Sequence, residues 1–452
     1  MSTICAVSTP QGAGGISVIR ISGENAISVA EKIFQPFGGK KVTEMAGHTC
    51  VYGKVVSGGE IIDDALLTVF VAPRSFTGEN TAEISCHGGI YVTKRVLRAC
   101  LENGAQLAAA GEFTKRAFLN GKLSLTQAES VIETIKASGE QTLRSANLTR
   151  EGRLFAKIKT VCDRLVSLLS QLAAWNDYPD EDIPEVEESA INGTLSDSIA
   201  VLDEILQGYD RGRIFRHGID TAIVGRPNVG KSTLMNMLLG YDRSIVTSVA
   251  GTTRDIVEES AVVGDVTLRL SDTAGIHETG DEVEKIGVTL AKEKLENSDL
   301  VLCVLDGSQP LNADDKALLA TLPPPKTVVV INKSDLGSAN IFADLSGFMY
   351  TAEISAKNGV GLSEIEQALE KIFRINSFDE NSMLFANERQ KACTELAKSY
   401  LSQASQALAF GETLDAVTIM IDKATEALLE LTGEKITEAV VDKVFESFCV
   451  GK

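Results

Sequence analysis

Apolar and polar residues change their spacing three times along the chain. Up to about residue 120 the apolar residues come in short β-like runs, 16–21, 65–71 and 82–85, separated by glycine-rich turns. One helix-like segment, 91–101, follows, and the mixture predicts a compact α+β domain. From about residue 123 to 213 the period lengthens. Leu154, Ile158, Val161, Leu165, Leu168, Leu169 and Leu172 recur at steps of three and four, one buried stripe on a helix. The segment 178–185, YPDEDIPE, breaks it.

Between 214 and 376, apolar runs at 221–224, 266–270, 300–305 and 327–331 alternate with helix-like segments. That is the pattern of a parallel sheet with crossover helices. After Phe378 the chain is helical again. Val417, Met420, Ile421, Ala424, Leu428 and Leu431 form one face, and Val440, Val441, Val444, Phe445 and Phe448 another. Neither helical stretch has partners enough to bury its own stripe. The expectation is therefore a multidomain chain: an N-terminal α+β domain (1–120), an α/β domain (214–377), and one discontinuous helical domain (121–213 and 378–452) into which the α/β domain is inserted.

Composition narrows this. A length of 452 residues suits about three domains. Hydrophobic residues at 44% and charged residues at 23% are ordinary for a globular protein. No run of 18 apolar residues predicts a membrane span, and the N-terminus, MSTICAVSTPQGAGG, does not read as a secretory signal. The eight cysteines include no C-x-x-C pair, which fits a reducing cytoplasm. A net charge of −19 argues against a general polyanion binder, so any nucleic acid contact must be local or shared with a basic partner.

Candidate chemistry centres on residues 225–232, GRPNVGKS, set between a strand-like and a helix-like run. That is the context a phosphate-binding loop needs. Gly225 and Gly230 let the backbone aim N–H groups at phosphate oxygens. Lys231 adds a point charge for the β/γ-phosphates, and the Ser232 hydroxyl can ligate Mg2+. Further elements follow in the order a GTPase requires. Thr253, in GTTRD, is the candidate switch threonine for Mg2+ and the γ-phosphate. Asp272, in DTAG, would reach Mg2+ through water, and Gly275 can offer its N–H to the γ-phosphate. Asp335, in NKSD, can accept both donors on the guanine edge, which adenine lacks, so the motif selects GTP. Ser355, Ala356 and Lys357 close the base pocket. One departure carries mechanism. Where Ras-like enzymes place a water-orienting Gln, this chain has Ile276, which cannot polarise water. Glu284 stands a short distance into the second switch and is the candidate replacement. No basic residue stands out as an arginine finger in cis.

Other segments read GGISVIRISG (14–23), SFTGENTAEISCHGG (75–89), GEFTKRAFLNGK (111–122) and, at the C-terminus, FCVGK (448–452). With the GTPase motifs, these resemble the bacterial tRNA-modification GTPases of the MnmE (TrmE) family from end to end. The resemblance implies a homodimer working with an FAD- and NADH-using protein of the MnmG (GidA) type in a heterotetramer. Together they would place an aminomethyl or carboxymethylaminomethyl group on C5 of the wobble uridine of certain tRNAs. It implies that K+ draws the GTPase domains together, held by Asn228, Thr247, Val249 and Thr252, with Glu284 and Lys231 catalytic. GTP contacts would run through Asn228, Val229, Gly230, Lys231, Ser232 and Thr233, then Thr247, Ser248, Val249, Ala250, Gly251, Thr252 and Thr253. Asp272, Thr273, Ala274 and Gly275 follow, then Asn332, Lys333, Asp335, Ser355, Ala356 and Lys357. Ser232 and Thr253 would hold Mg2+.

The resemblance also implies a 5-formyl- or methylene-tetrahydrofolate in the N-terminal domain, contacted by Arg20, Glu83, Lys122 and Lys452. Cys449 would lie near that pocket, with a possible part in its chemistry. His277 departs from an Arg found in some relatives. Cys86-His87 is read as structural, because neighbours on a strand face opposite ways, and Gly12-Ala-Gly14 lacks the helix a dinucleotide fold needs. The competing expectation is a GTP-gated assembly factor, for example for ribosomes, in which the nucleotide state only regulates binding.

Overall fold

The computed structural model describes residues 2–10, 12–137, 139–177, 186–241, 259–264, 266–272, 298–337, 339, 341–373, 387–446 and 448–451. They fall into two compact units: 1–135 with 147–203 and 388–452, and 136–146 with 204–387. Among them no helix is long and apolar enough to cross a membrane.

The first unit begins with strands β1 (Ile4–Val7), β2 (Ile16–Ser22), β3 (Phe34–Pro36), β4 (Thr49–Ser57), β5 (Glu60–Phe70), β6 (Thr81–His87) and β7 (Gln106–Leu107). They form one sheet in the order β3-β4-β5-β6-β2-β1-β7. Strict alternation decides what each face meets. Ile19, Ile21, Leu67, Val69, Ala82 and Ile84 are buried, in one core with Val29 and Ile33 of α1 (Ala26–Ile33) and Val96 and Cys100 of α2 (Ile90–Glu102). The alternate residues Arg20 and Glu83 stand opposite each other in the β2–β6 register. Gly12 and Gly14 lead into strand β2, not into a helix.

Helices α3 (Glu112–Leu119), α4 (Leu125–Lys136), α5 (Glu140–Arg150), α6 (Arg153–Asp177) and α7 (Glu188–His217) follow. After the second unit come α11 (Glu388–Ala409), α12 (Leu414–Thr432) and α13 (Glu438–Glu446). The α6 stripe is inward: Leu154, Ile158, Val161, Leu165, Leu168 and Leu172 are buried, and Leu169 is half-buried. Its partner is α12, whose Val417, Ile421, Ala424, Leu428 and Leu431 are buried. Phe445 and Phe448 pack with Leu125 and Ala128. Helices from both sides of the long central segment therefore share one core.

A polar clasp joins them. Arg389, at the start of α11, donates from Nε and Nη2 to the two oxygens of Glu129 on α4, at 2.7 and 2.9 Å. It also donates to the carbonyls of Glu430 and Leu431 at 3.1 and 3.0 Å, capping the end of α12. Gln390 Nε2 adds a bond to Glu129 at 2.6 Å.

The second unit holds β8 (Ile219–Val224), α8 (Lys231–Tyr241), β9 (Glu259–Val263), β10 (Val266–Asp272), β11 (Leu300–Asp306), α9 (Ala313–Thr321), β12 (Thr327–Asn332), β13 (Tyr350–Glu353) and α10 (Leu362–Phe373). The strand order is β13-β12-β11-β8-β10-β9, parallel except for the edge strand β9. Every residue of β11 and β12 is buried, the reason these strands are continuous apolar runs. The chain reverses its direction of sheet growth at β8. In open α/β sheets a ligand site forms beyond the strand ends at such a point.

Breaking a buried pair strands the surviving charge, which costs about 3–5 kcal/mol, whereas replacing both partners with apolar groups is often neutral. Arg389→Ala should therefore lower the urea midpoint of the helical signal by the equivalent of about 3–5 kcal/mol, and Glu129→Leu with Arg389→Met should recover most of it. Equal losses in both variants would show that the clasp contributes only packing volume.

Candidate nucleotide site

The chain turns sharply where β8 ends. Gly225 (φ 149°) and Gly230 (φ 99°) take backbone conformations that side chains disfavour, and Asn228 between them is left-handed at φ 65°. A Cβ on Gly225 would strike the Val304 carbonyl, and one on Gly230 the Asn332 side-chain amide. The glycines thus let the loop lie directly against the ends of β11 and β12. Helix α8 starts at Lys231, so its first-turn N–H groups and the positive end of its dipole face the loop. Lys231 Nζ is drawn across that mouth, donating to the carbonyls of Gly225 and Arg226 at 2.7 and 3.0 Å. Val229 is buried, and Ser232 and Thr233 are exposed.

The base motif braces this loop. Buried Asn332 donates from Nδ2 to the Val229 carbonyl at 2.9 Å, and its Oδ1 accepts from the Ala356 N–H at 3.0 Å. Lys333 donates to the Asn228 carbonyl at 2.9 Å and to Asp306 at 2.7 Å. Ser355 Oγ donates to Asp335 Oδ1 at 2.7 Å, steadying the carboxylate assigned to guanine. Lys357 is exposed. Residues 228, 229, 332, 333, 335, 355 and 356 are therefore brought together. Asp272 ends β10, with its backbone paired to Ile223 of β8.

Thr247, Ser248, Val249, Ala250, Gly251, Thr252, Thr253, Thr273, Ala274, Gly275, His277, Glu284 and Lys452 lie outside the described residues.

Two bracing carboxylates escaped the motif reading. Asp306 closes β11 and accepts from the Ser308 N–H and hydroxyl at 3.1 and 2.6 Å. Burial pushes its pKa up, but Lys333 and Ser308 outweigh this and hold it below the ordinary carboxylate value. Asp315 is buried in a capping box with Asn312 at the start of α9. It sits 3.2 Å from Arg226 Nε, an ion contact without an aligned hydrogen bond. The available signal was a single acid ending an apolar run just before Gly307.

In the N-terminal sheet, Arg20 Nε and Glu83 Oε1 are 2.7 Å apart. The two charges read as independent ligands thus hold each other. The Arg20 guanidinium also lies 5.9 Å from the Phe76 ring centre and 5.6 Å from that of Phe113. Lys122 Nζ donates to the Pro73 carbonyl at 3.2 Å, so it borders the same loop that carries Phe76. The C-terminal tail docks on the residues just before α3 and just after β1. Val450 bridges to Ala110, the Cys449 carbonyl accepts from the Gly111 N–H at 3.4 Å, and the Gly451 carbonyl accepts from Ser8 Oγ at 3.0 Å. Cys449 itself is exposed.

Cys86 and His87 serve different partners. Burial, helped by Asp63, pushes the Cys86 thiol up to about 11, so it stays protonated. The exposed His87 ring pairs through Nδ1 with Asp63 at 2.7 Å, and this hydrogen bond raises its pKa.

The comparisons with known proteins cover nearly the whole chain. A family model described as the MnmE helical domain matches residues 125–449, and one described as the GTP-binding protein TrmE N-terminus matches 3–122. The tRNA modification GTPase MnmE of Acetivibrio thermocellus is 40% identical over 456 residues, spanning 100% of this chain and 99% of that protein. The protein of the same name from Heliobacterium modesticaldum is 42% identical over 466 residues, with 100% and 99% covered. The crystal structure of Aquifex aeolicus Era bound to GDP and AlF4− is 28% identical over 40% of this chain and 66% of that one, at a TM-score of 0.27, too low to bear on the fold.

Asp335 gives the base pocket a direct test. Hydrogen bonds to a charged group are worth about 1.5–3 kcal/mol each. Asp335→Asn should weaken binding of fluorescent GDP by on the order of tenfold or more, and should favour xanthosine diphosphate, whose edge offers an acceptor to the new amide. Unchanged guanine affinity would remove Asp335 from base recognition.

Proposed function

The chain belongs to the MnmE (TrmE) family of tRNA modification GTPases, and we propose that its GTP hydrolysis drives modification of C5 of the wobble uridine in certain tRNAs. The chain acts as a homodimer with an FAD- and NADH-using MnmG-type partner in a heterotetramer. The group added is an aminomethyl or carboxymethylaminomethyl unit. The observation that carries this reading is relatedness over the whole length, 40–42% identity to proteins named tRNA modification GTPase.

At the nucleotide site, Lys231 and the N-terminal N–H groups of α8 receive the phosphates, and Asp335 with Ser355 reads guanine. Ser232 and Thr253 are the Mg2+ ligands, with Asp272 acting through water. Thr247, Val249 and Thr252 complete a K+ site begun by Asn228. The geometry at Asn228 suits that role. Lys333 occupies its backbone carbonyl, which leaves the neutral side-chain oxygen for a cation, and neutral oxygens in number are what K+ prefers. K+ held there supplies the positive charge that an arginine finger supplies elsewhere. Ile276 cannot orient the water, and Glu284 takes that part.

The one-carbon unit comes from 5-formyl- or methylene-tetrahydrofolate at Arg20, Glu83, Lys122 and Lys452. The Arg20–Glu83 pair, with the exposed Phe76 ring 5.9 Å from the Arg20 guanidinium, offers the fixed charges and aromatic surface that a pterin and its glutamate tail require. Cys449 lies at the tail that docks beside α3.

Analysis of tRNA from a strain lacking this gene should show wobble uridines without the C5 group. Unchanged modification would leave the assembly-factor reading, in which nucleotide state only gates binding. The cation reading has its own test. Hydrolysis should be about tenfold or more faster in KCl than in NaCl at equal ionic strength, a modest share of the roughly 10²–10³ that one electrostatic donor supplies. Equal rates would remove K+ from the mechanism.

A further inference from the structure

Two residues of the base motif grip two neighbouring residues of the phosphate loop. Asn332 holds the Val229 carbonyl, and Lys333 holds that of Asn228. Lys333 is fixed in turn by Asp306, which is 7% exposed and buttressed by Ser308. The backbone shows what this bracket sustains. Asn228 (φ 65°) and Lys333 (φ 69°) are two of the three non-glycine residues, among those described, with positive φ. Such conformations are uncommon outside glycine and persist where their surroundings over-determine them. Here the two strained residues are bonded to each other.

We propose that Asp306 is a positioning residue for the cation site: it anchors Lys333 on the Asn228 carbonyl, holds Asn228 left-handed, and so aims its side-chain amide at K+. This rests on the K+ reading above. Without the carboxylate, the ammonium has one anchor fewer and can leave the carbonyl for water. Asn228 is then free to relax to an ordinary φ, which turns its amide away. Because Lys333 also belongs to the base motif, guanine occupancy and cation affinity share one strut, and any effect of one on the other must be matched by the same factor in reverse.

The test compares the intact chain with its Asp306→Asn variant across a KCl titration at constant ionic strength. GTP hydrolysis and equilibrium binding of a fluorescent non-hydrolysable GTP analogue are read in parallel. The K+ concentration at half-effect should rise about tenfold in both, within the usual range of coupling between sites. Affinity for fluorescent GDP without K+ should fall by no more than about threefold, less than the usual coupling between sites. In an Asn228→Ala background, Asp306→Asn should have no further effect on the K+ response. Ser308→Ala, which loosens Asp306 but keeps its charge, should move the midpoint the same way by a smaller factor, and serves if Asp306→Asn does not fold. An unchanged midpoint in a folded variant overturns the positioning role. So does an equal loss of nucleotide affinity at every K+ concentration, the mark of a merely structural residue. A wild type indifferent to K+ fails at the first step and removes the cation reading as well.

Discussion

The Glu129–Arg389 pair joins residues 260 positions apart, and it does so in the interior of the first unit. Taking both charges out of water costs several kcal/mol per ion, recovered only when every donor and acceptor is met. That requirement is strict geometry. Arg389 must find the Glu129 carboxylate and the last carbonyls of α12 together, so α4, α11 and α12 have to be in place before the pair is favourable. Apolar stripes can slide by a turn and still bury area. A bidentate pair with added carbonyl bonds cannot. The clasp therefore selects one arrangement of helices that hydrophobic burial alone would leave less well defined, and it sits at the residue where the chain re-enters this unit.

The same device recurs at smaller scale. Arg116 is buried against Glu79, Glu112 and the Ser2 carbonyl. Arg226 meets Asp315, and Lys333 meets Asp306. In the last two cases a carboxylate in a fixed backbone setting, a capping box for Asp315 and the end of a strand for Asp306, holds a cation of another segment. The phosphate loop is braced this way from two sides, through Arg226 and through Lys333. Such fixed dipoles and charges do not reorganise when negative charge arrives, which is the property a phosphate-handling site needs.

Much of this was legible from spacing alone. Strands β11 and β12 are apolar runs because both faces are covered, and the stripes of α6 and α12 follow their helical period. The nucleotide motifs were legible because phosphate and guanine impose residue types at fixed steps. What stayed hidden has a common cause. Glu129, Asp306 and Asp315 are charged, and pattern reading assigns charge to solvent, yet all three are buried. Arg20 and Glu83 were each singled out by the resemblance, but their mutual pairing depends on the β2–β6 register, which no local pattern encodes. Strand β1, only four residues long, gives too little alternation to read, although it pairs with both β2 and β7.

This inward use of cations bears on how an acidic chain can serve an RNA substrate. With a net charge of −19, and with Arg20, Arg116, Arg226 and Arg389 each committed to a carboxylate, the arginines best fixed in space are not available to phosphates. Binding a polyanion depends on releasing its counterions to protein cations, and like charges repel within a Debye length of about 8 Å. On the proposed reading, most tRNA phosphates are therefore met by the flavoprotein partner. On the same reading this chain would contribute the folate-side chemistry and the nucleotide-driven movement rather than the electrostatic grip, because cations such as Arg226 and Lys333 already hold the carboxylates that brace its own loop.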